Sequence, residues 1–332
     1  MKKIINAPGA VVEEMLDGMV AAHPEYVRKV EGYNCLVSVK APLQGKVGLI
    51  SGGGSGHEPA HAGFIGRGML DGACAGNVFS SPTPDHFYAA AKEVNSGAGV
   101  LMIIKNYSGD LMNSEMAAEM AEAEGIEIAR VIVDDDVAVE NSTWTTGRRG
   151  IAGTVFVHKI AGARAAAGGS LAEVKAAAEK AVANVRSMGM ALTPCIVPAA
   201  GKANFSLADD EMEIGMGIHG EPGISRSKLC SADEITAAMV GKIVADLPFA
   251  AGDEVAVLVN GLGATPLMEL YIVNRTVHSL LSKSGITVAR TFVGEYMTSL
   301  EMAGYSISLL KLDDELKQLL NAPADTPGFK HF

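Results

Sequence analysis

Basic charge is scarce in this chain. Its 332 residues carry 27 Lys and Arg against 38 Asp and Glu, a formal net charge of −11. Nucleic-acid binders draw much of their affinity from neutralising phosphates with a basic stripe, and the most basic spot here is the pair Arg148-Arg149. No nucleic-acid partner is expected, and no anionic membrane surface either. No stretch approaches the ~18 uncharged apolar residues that a membrane-spanning helix needs. Cysteine is sparse too. Cys35, Cys74, Cys195 and Cys230 are far apart and form no Cys-x-x-Cys pair, which predicts reduced, buried thiols in a cytoplasmic protein. The stretch from Lys2 to Pro8 has two lysines and no apolar run behind them, unlike a secretory signal.

What the sequence has in excess is glycine. It contributes 38 of 332 residues, above the roughly 7% norm, and without the period of collagen. Tight turns and ligand-cradling loops are expected instead. Hydrophobic residues at 48% and charged residues at 20% mark a globular chain, and its length fits about two domains of ~150 residues each. In residues 1–186, β-rich runs at 47–50, 100–104 and 126–133 each end in a polar or glycine-rich turn. Helical patterns lie between them. Thr83-Pro84-Asp85 opens one helix. Met112, Met116 and Met120 stripe another over 111–124, a spacing that predicts core packing. Ala-rich helices are expected at 154–168 and 171–187. This is an α/β pattern with a mostly parallel sheet. From 187 to 332 strands at 190–197, 212–218, 254–260, 286–292 and 305–311 outnumber helices at 233–246, 266–284 and 313–320, which predicts a C-terminal α+β domain. The tail from Ala322 onward, with Pro323, Pro327 and Gly328, is expected to run extended and pack back on the first domain.

Several constellations could carry chemistry. Gly52, Gly53, Gly54 and Gly56 follow the first run, where backbone N–H groups can approach an anion or compact polar ligand. No Gly-Lys-Ser/Thr follows, so this is not a P-loop, and no acid stands where a Rossmann fingerprint requires one. His57-Glu58-Pro59-Ala60-His61 matches the zinc-peptidase H-E-x-x-H in letters. Pro59 argues against one continuous helix and predicts a helix that starts at Pro59, with His57 left in the loop. His57 is then either a general acid/base or a loop-fixing residue. Asp110 ends the 105–110 loop, where neighbouring parallel strands point into one crevice; an N-cap role is open to it as well. Lys105 supplies that loop's cation. His219, bracketed by glycines, is accessible as a metal ligand, base or nucleophile, or simply sits in a bend. Asp134-Asp135-Asp136 reads as a solvated loop rather than a metal site. The 259–266 segment reads as a turn with Pro266 first in the next helix.

Segments 51–59, 80–85, 104–110, 133–139, 146–150, 197–202, 217–223 and 261–266 together resemble the substrate-binding K subunit family of dihydroxyacetone kinase, over nearly the whole chain. The resemblance implies a two-domain homodimer and a substrate carbonyl held as a hemiaminal on His219. It implies His57 and Asp110 as the acid/base pair, and Gly54, Ser55, Gly56 and Lys105 as substrate-binding positions. It implies no cofactor on this chain. The phosphoryl donor would be a nucleotide with Mg²⁺ on a separate L subunit, recharged in many systems by a phosphotransferase-type M subunit. Between Gly223 and Asp253 the chain is shorter than some relatives, which bears on docking and dimer contacts. Two other functions fit the same residues: a regulatory paralogue that binds dihydroxyacetone and activates a transcription factor, and a kinase subunit for another short ketose such as erythrulose.

Overall fold

A computed structural model describes residues 2–141 and 145–332. After helix α1 (Val11–Ala22), the first sheet is built from β1 (Val27–Lys29), β2 (Cys35–Ser38), β3 (Gly48–Ser55), β4 (Gly72–Val78), β5 (Val100–Lys105) and β6 (Ile128–Val133). Its spatial order is β1-β2-β4-β3-β5-β6. The four strands β4, β3, β5 and β6 are parallel, and β1 and β2 add an antiparallel edge. Helices α2 (Pro84–Val94) and α3 (Ser108–Ala123) make crossovers, as a parallel sheet requires. Two more helices, α4 (Thr154–Ala166) and α5 (Leu171–Asn184), lead to the second sheet. That sheet contains β7 (Val185–Ala191), β8 (Glu211–Ile214), β9 (Ser225–Lys228), β10 (Glu254–Gly261), β11 (Thr287–Gly294) and β12 (Gly304–Leu312), in the order β11-β10-β12-β7-β8-β9. Only β10 and β11 pair in parallel. Helices α6 (Ala232–Asp246) and α7 (Leu267–Lys283) pack on one another, and α8 (Asp314–Asn321) precedes a hairpin of β13 (Ala324–Asp325) and β14 (Lys330–His331). The architecture is α/β with a mostly parallel first sheet and an α+β second half.

Local chemistry explains several element ends. Ser170 with Glu173, and Ser231 with Glu234, form reciprocal capping boxes that start α5 and α6. Pro84 opens α2 as its first residue. Helix α4 is buried around nearly all its circumference, which is why its apolar residues show no one-sided stripe. Its neighbour α5 touches β5 and β6 of one sheet and β12 of the other. Leu49, Ile103, Val155, Phe156, Ala256, Leu258 and Leu310 consequently share a single apolar core. The tail packs back on the first half as expected: Asp325 N donates to Arg67 O at 2.9 Å and Gly328 N to Gly63 O at 2.7 Å.

Five expectations are corrected. The glycine run 52–54 is not a loop after a strand; it is the C-terminal half of β3. Glycine is needed there for close approach: a Cβ on Gly52 would meet the Phe87 ring at 2.7 Å and the Cys74 carbonyl oxygen at 2.8 Å. No α-helix starts at Pro59; a turn leads to a short 3-10 segment at Ala62–Phe64. The methionine stripe of α3 is not core. Met112, Met116 and Met120 are 64%, 53% and 39% exposed, while Ser114, Ala117 and Ala121 face inward. Small residues let α3 lie close to α2, so the long side chains were left outside. Asp135 and Asp136 are fully buried rather than solvated. Asp135 accepts from the backbone N–H groups of Ile151 and Gly153 at 2.7 and 2.8 Å, and Asp136 pairs with buried Arg149 at 2.7 Å. Cys230 is exposed, unlike the other three cysteines. Three smaller differences remain. Pro266 caps α7 one residue outside it, the strand expected at 190–197 lies earlier as β7, and edge strand β9 was not expected, being short, polar and solvent-facing with no alternation to mark it.

Candidate active site

The first sheet delivers one wall of the site. β3 ends at Ser55, and the turn after it carries His57, fully buried. β5 ends at Lys105, and α3 begins at Ser108, which puts Asp110 in its first turn with Tyr107 as the N-cap residue. The alternative reading of Asp110 as the N-cap does not hold, since that position belongs to Tyr107. An acid in the first turn still gains from the helix dipole. Strands β3 and β5 are parallel neighbours, so their C-terminal ends open into one crevice.

The second half supplies the other wall. Ser299 Oγ donates to the Ile218 carbonyl at 2.5 Å, Leu300 N to Gly56 O at 2.8 Å and Thr298 N to His57 O at 3.2 Å. These bonds tie the bend of His219 and the turn of His57 to one loop. The two imidazoles meet there, Nε2 to Nε2 at 3.1 Å. His57 stacks on Phe79 with centroids 5.1 Å apart, and the Tyr107 and Phe79 rings stand edge-on to His219. A cavity of about 460 Å³ opens from His219 past Gly54, Phe79 and Tyr107 to Asp110, within the size range of small-molecule sites.

Hydrogen-bond accounting fixes the protons. His57 Nδ1 lies 2.7 Å from the Thr298 carbonyl oxygen, which only accepts, so Nδ1 carries a proton. His219 Nδ1 lies 2.7 Å from Glu221 Oε1, and the depressed carboxyl of Glu221 makes it an acceptor as well. Each Nε2 is then the only site left on its ring. A bond between them needs one further proton, shared by the pair. Burial first, then the neighbouring His219 and Lys105 charges, drive the His57 pKa well down, so His57 resists a second proton and its Nε2 stays an acceptor. Burial raises the Glu221 carboxyl, but His219 and then Arg149 outweigh it and hold the value at about 2.

Asp110 is buried, and its Oδ1 has no hydrogen-bond partner among the described residues. Its pKa is raised by burial and only partly restored by Lys105 and a Ser81 hydrogen bond. Lys105 is also buried; burial lowers its pKa while Asp110 and Asp135 work against that. A Cβ on Gly53 would lie 2.6 Å from Lys105 Nζ and 3.4 Å from Asp110 Oδ2, so only glycine lets the cation and the carboxylate reach the strand.

Of the sequence-derived residues, Gly54, His57, Lys105, Asp110 and His219 converge. Ser55 and Gly56 are turned to the framework: Ser55 Oγ donates to Gly76 O at 2.7 Å, and Gly56 N donates to Glu58 at 3.1 Å. The two histidines of the H-E-x-x-H letters diverge, since His61 bonds Lys105 and His158 instead. Sequence reading missed Glu221, Thr298, Phe79 and Tyr107 as site groups. Glu221 had a signal, an acid two residues after an accessible histidine; Thr298 had none.

A family model for the Dak1 domain matches residues 17–328. The dihydroxyacetone-binding subunit of PTS-dependent dihydroxyacetone kinase 1 from Listeria innocua is 55% identical, covering 98% of this chain and 99% of its own. The crystal structure of the dihydroxyacetone kinase of C. freundii with AMP-PNP and Mg²⁺ superposes with a TM-score of 0.92 at 35% identity. The match covers 99% of this chain but 61% of that longer one. A dihydroxyacetone kinase operon co-activator superposes with a TM-score of 0.89 at 38% identity, covering 96% and 99% of the two chains.

Proposed function

The chain belongs to the Dak1 family of dihydroxyacetone-binding kinase subunits, and on that premise we propose that it holds dihydroxyacetone covalently on His219 while a separate subunit phosphorylates it. The carrying observation is the His219 imidazole, pinned through Nδ1 by Glu221, with Nε2 facing His57 at the wall of a cavity that also contains Asp110. Nε2 of His219 attacks the carbonyl carbon, an N–C bond forms and the C=O pair moves to oxygen. The oxygen takes a proton from solvent through the open cavity. The His219 ring, bonded to carbon at Nε2 and still protonated at Nδ1, becomes a cation beside the Glu221 carboxylate. Polyols lack a carbonyl and cannot form this bond, so the covalent step selects the ketose.

With the carbon anchored, the terminal hydroxyl is oriented toward Asp110, a proximity effect. Its oxygen bonds to the transferred phosphorus as the bond to the nucleoside diphosphate breaks, and its proton passes to Asp110 Oδ1. That oxygen has no partner among the described residues, and burial has raised its basicity. Lys105 offsets the negative charge that collects there.

In this reading the nucleotide and Mg²⁺ sit on an L subunit, an M subunit recharges it, and the chain forms a homodimer. The L subunit docks over the mouth of the cavity, along the solvent face of α3. Exposed Met112 and Met116 continue directly from the Ser108 to Asp110 rim, and flexible thioethers suit a partner surface that must engage and leave.

Phosphate transfer to dihydroxyacetone, with this chain, Mg²⁺ and a nucleotide-loaded L subunit, tests the proposal. Asp110→Asn should keep the His219 adduct seen by native mass spectrometry and lose most turnover. Equal turnover in that variant removes the base assignment. No turnover from the wild type, beside an L subunit active with another K subunit, favours a role like that of the co-activator it resembles.

A further inference from the structure

Behind the site lies a second, wholly buried histidine pair that the proposed chemistry does not use. His61 is 6% and His158 0% exposed. Lys105 Nζ stands 2.8 Å from His61 Nε2, and His61 Nδ1 stands 3.0 Å from His158 Nε2 and 3.3 Å from Ser51 Oγ. The direction of this chain is fixed by what each group can do. An ammonium only donates, so His61 Nε2 accepts. The His61 proton is therefore on Nδ1, pointing at His158 Nε2. Ser51 gives its own proton to the Ile103 carbonyl at 2.7 Å, so its oxygen can only accept from His61. His158 in turn carries its proton on Nδ1, which has no partner among the described residues. Both rings are neutral, and a second proton on His61 would set N–H against N–H.

We propose that His61, braced by His158 and Ser51, is a positioning residue that holds the Lys105 ammonium at the Gly53 edge of the active site. The inference rests on the reading of the site given above. Its physical content is the choice of a neutral acceptor. A carboxylate in the place of His61 would pair with Lys105 and cancel its charge. An imidazole orients one N–H and leaves the full positive charge for the substrate oxygen and for Asp110. With the acceptor gone, the ammonium has no hydrogen-bond partner on the core side and swings toward Asp110, whose field it already feels. That would take up the free Oδ1 on which proton removal depends. Burial, then Lys105, then His158, press the His61 pKa well down, and His158 falls to about 3. The pair thus remains an acceptor rather than a second cation.

The test is a double-mutant cycle on kcat/KM in the complete system, with His61→Ala, Lys105→Met and the double variant. If His61 acts through Lys105, the losses do not add. Loss of about tenfold is expected from His61→Ala, about 100-fold from Lys105→Met, and about 100-fold from both together. His61→Gln, whose amide oxygen can accept from Lys105, should return kcat/KM to within about threefold of wild type, whereas His61→Asp should not. The adduct on His219 should form in every variant. Additive losses near 1,000-fold, or wild-type kcat/KM in His61→Ala, overturn the proposal. If His61→Ala does not fold, His61→Asn, too short to reach Nζ, replaces it in the same cycle with the same criteria. A wild type that neither forms the adduct nor turns over overturns the site reading itself, whereas wild-type turnover with additive losses overturns only the role of His61.

Discussion

Replacing Glu221 by Gln removes the negative charge beside the anchor histidine. Glu221 is 3% exposed, and its two oxygens take the His219 ring N–H at 2.7 Å and the His219 backbone N–H at 2.9 Å. Gln has the same shape and its one carbonyl oxygen can still accept the ring N–H, while its amide nitrogen can only face the His219 backbone N–H. That second bond is lost in the free and adduct states alike, so the change in adduct affinity reads the charge. The carboxyl falls from its ordinary 4.5 to about 2 against the cost of burial, which at ~1.4 kcal/mol per pKa unit corresponds to about 3 kcal/mol in favour of its charged form. His219 and Arg149 share that sum, His219 first. A charge-assisted hydrogen bond contributes about 1.5–3 kcal/mol and a neutral one about 1. The His219 cation created by adduct formation thus loses the difference, roughly 0.5–2 kcal/mol, in Glu221→Gln, or about 2- to 30-fold in adduct affinity. Titration with dihydroxyacetone, with the bound fraction read by native mass spectrometry, measures it. Thermal unfolding alongside checks that the fold is retained. An adduct affinity equal to or tighter than wild type would refute the claim that Glu221 stabilises the cationic ring.

The same carboxyl makes a pH signature. Because its folded pKa lies below the unfolded one, its contribution to stability is complete above about 4.5 and is lost as pH falls toward about 2; the unfolding free energies of wild type and Glu221→Gln should converge across that window in acid denaturation. Gly54→Ala would set a Cβ 2.5 Å from the Ser80 nitrogen and 2.7 Å from Phe79 Cα. Backbone must move there, at about 1–3 kcal/mol, and with it the ring that stacks on His57, so chemical denaturation should show the loss and mass spectrometry a weaker adduct. Arg149→Met strands the buried Asp136 carboxylate, whose pKa already stands at about 6; a loss of about 3–5 kcal/mol is expected in denaturant unfolding, and a loss under 1 kcal/mol would contradict a structural ion pair. Met116→Asp should raise the concentration of L subunit needed for half-maximal turnover by about tenfold and leave the His219 adduct intact; an unchanged requirement removes α3 from the docking surface.

The elements with strong local signals were legible in the chain. Strand β5 is an unbroken apolar run, α2 has Thr83 and Pro84 at its start, and α6 to α8 lie within a residue or two of their expected ends. Elements without such a signal were not. β1, β2 and β9 are short edge or near-edge strands, and their pairing comes from neighbours rather than from their own side chains. The methionines of α3 were misread because helical periodicity marks a face without saying which face turns inward. Ser114, Ala117 and Ala121 took the core side since α2 comes close.

For the site, the residue types and their places at strand ends, in the turn after β3, at the end of β5 and in the bend after β8, follow from the sequence, because parallel strands send their C-terminal ends into one crevice. The family resemblance was legible there too, in motifs that are short but jointly specific. Only the tertiary structure decided how the protons are arranged. The Nε2 atoms of His57 and His219 are brought together across 162 sequence positions, and Thr298, 241 positions from His57, fixes its tautomer. It also made Asp135 and Asp136 core residues and turned His61 away from His57 toward Lys105. A tautomer, a buried charge or a shared proton depends on which partner lies within ~3 Å and on how much water is excluded, and a linear chain specifies both only by folding.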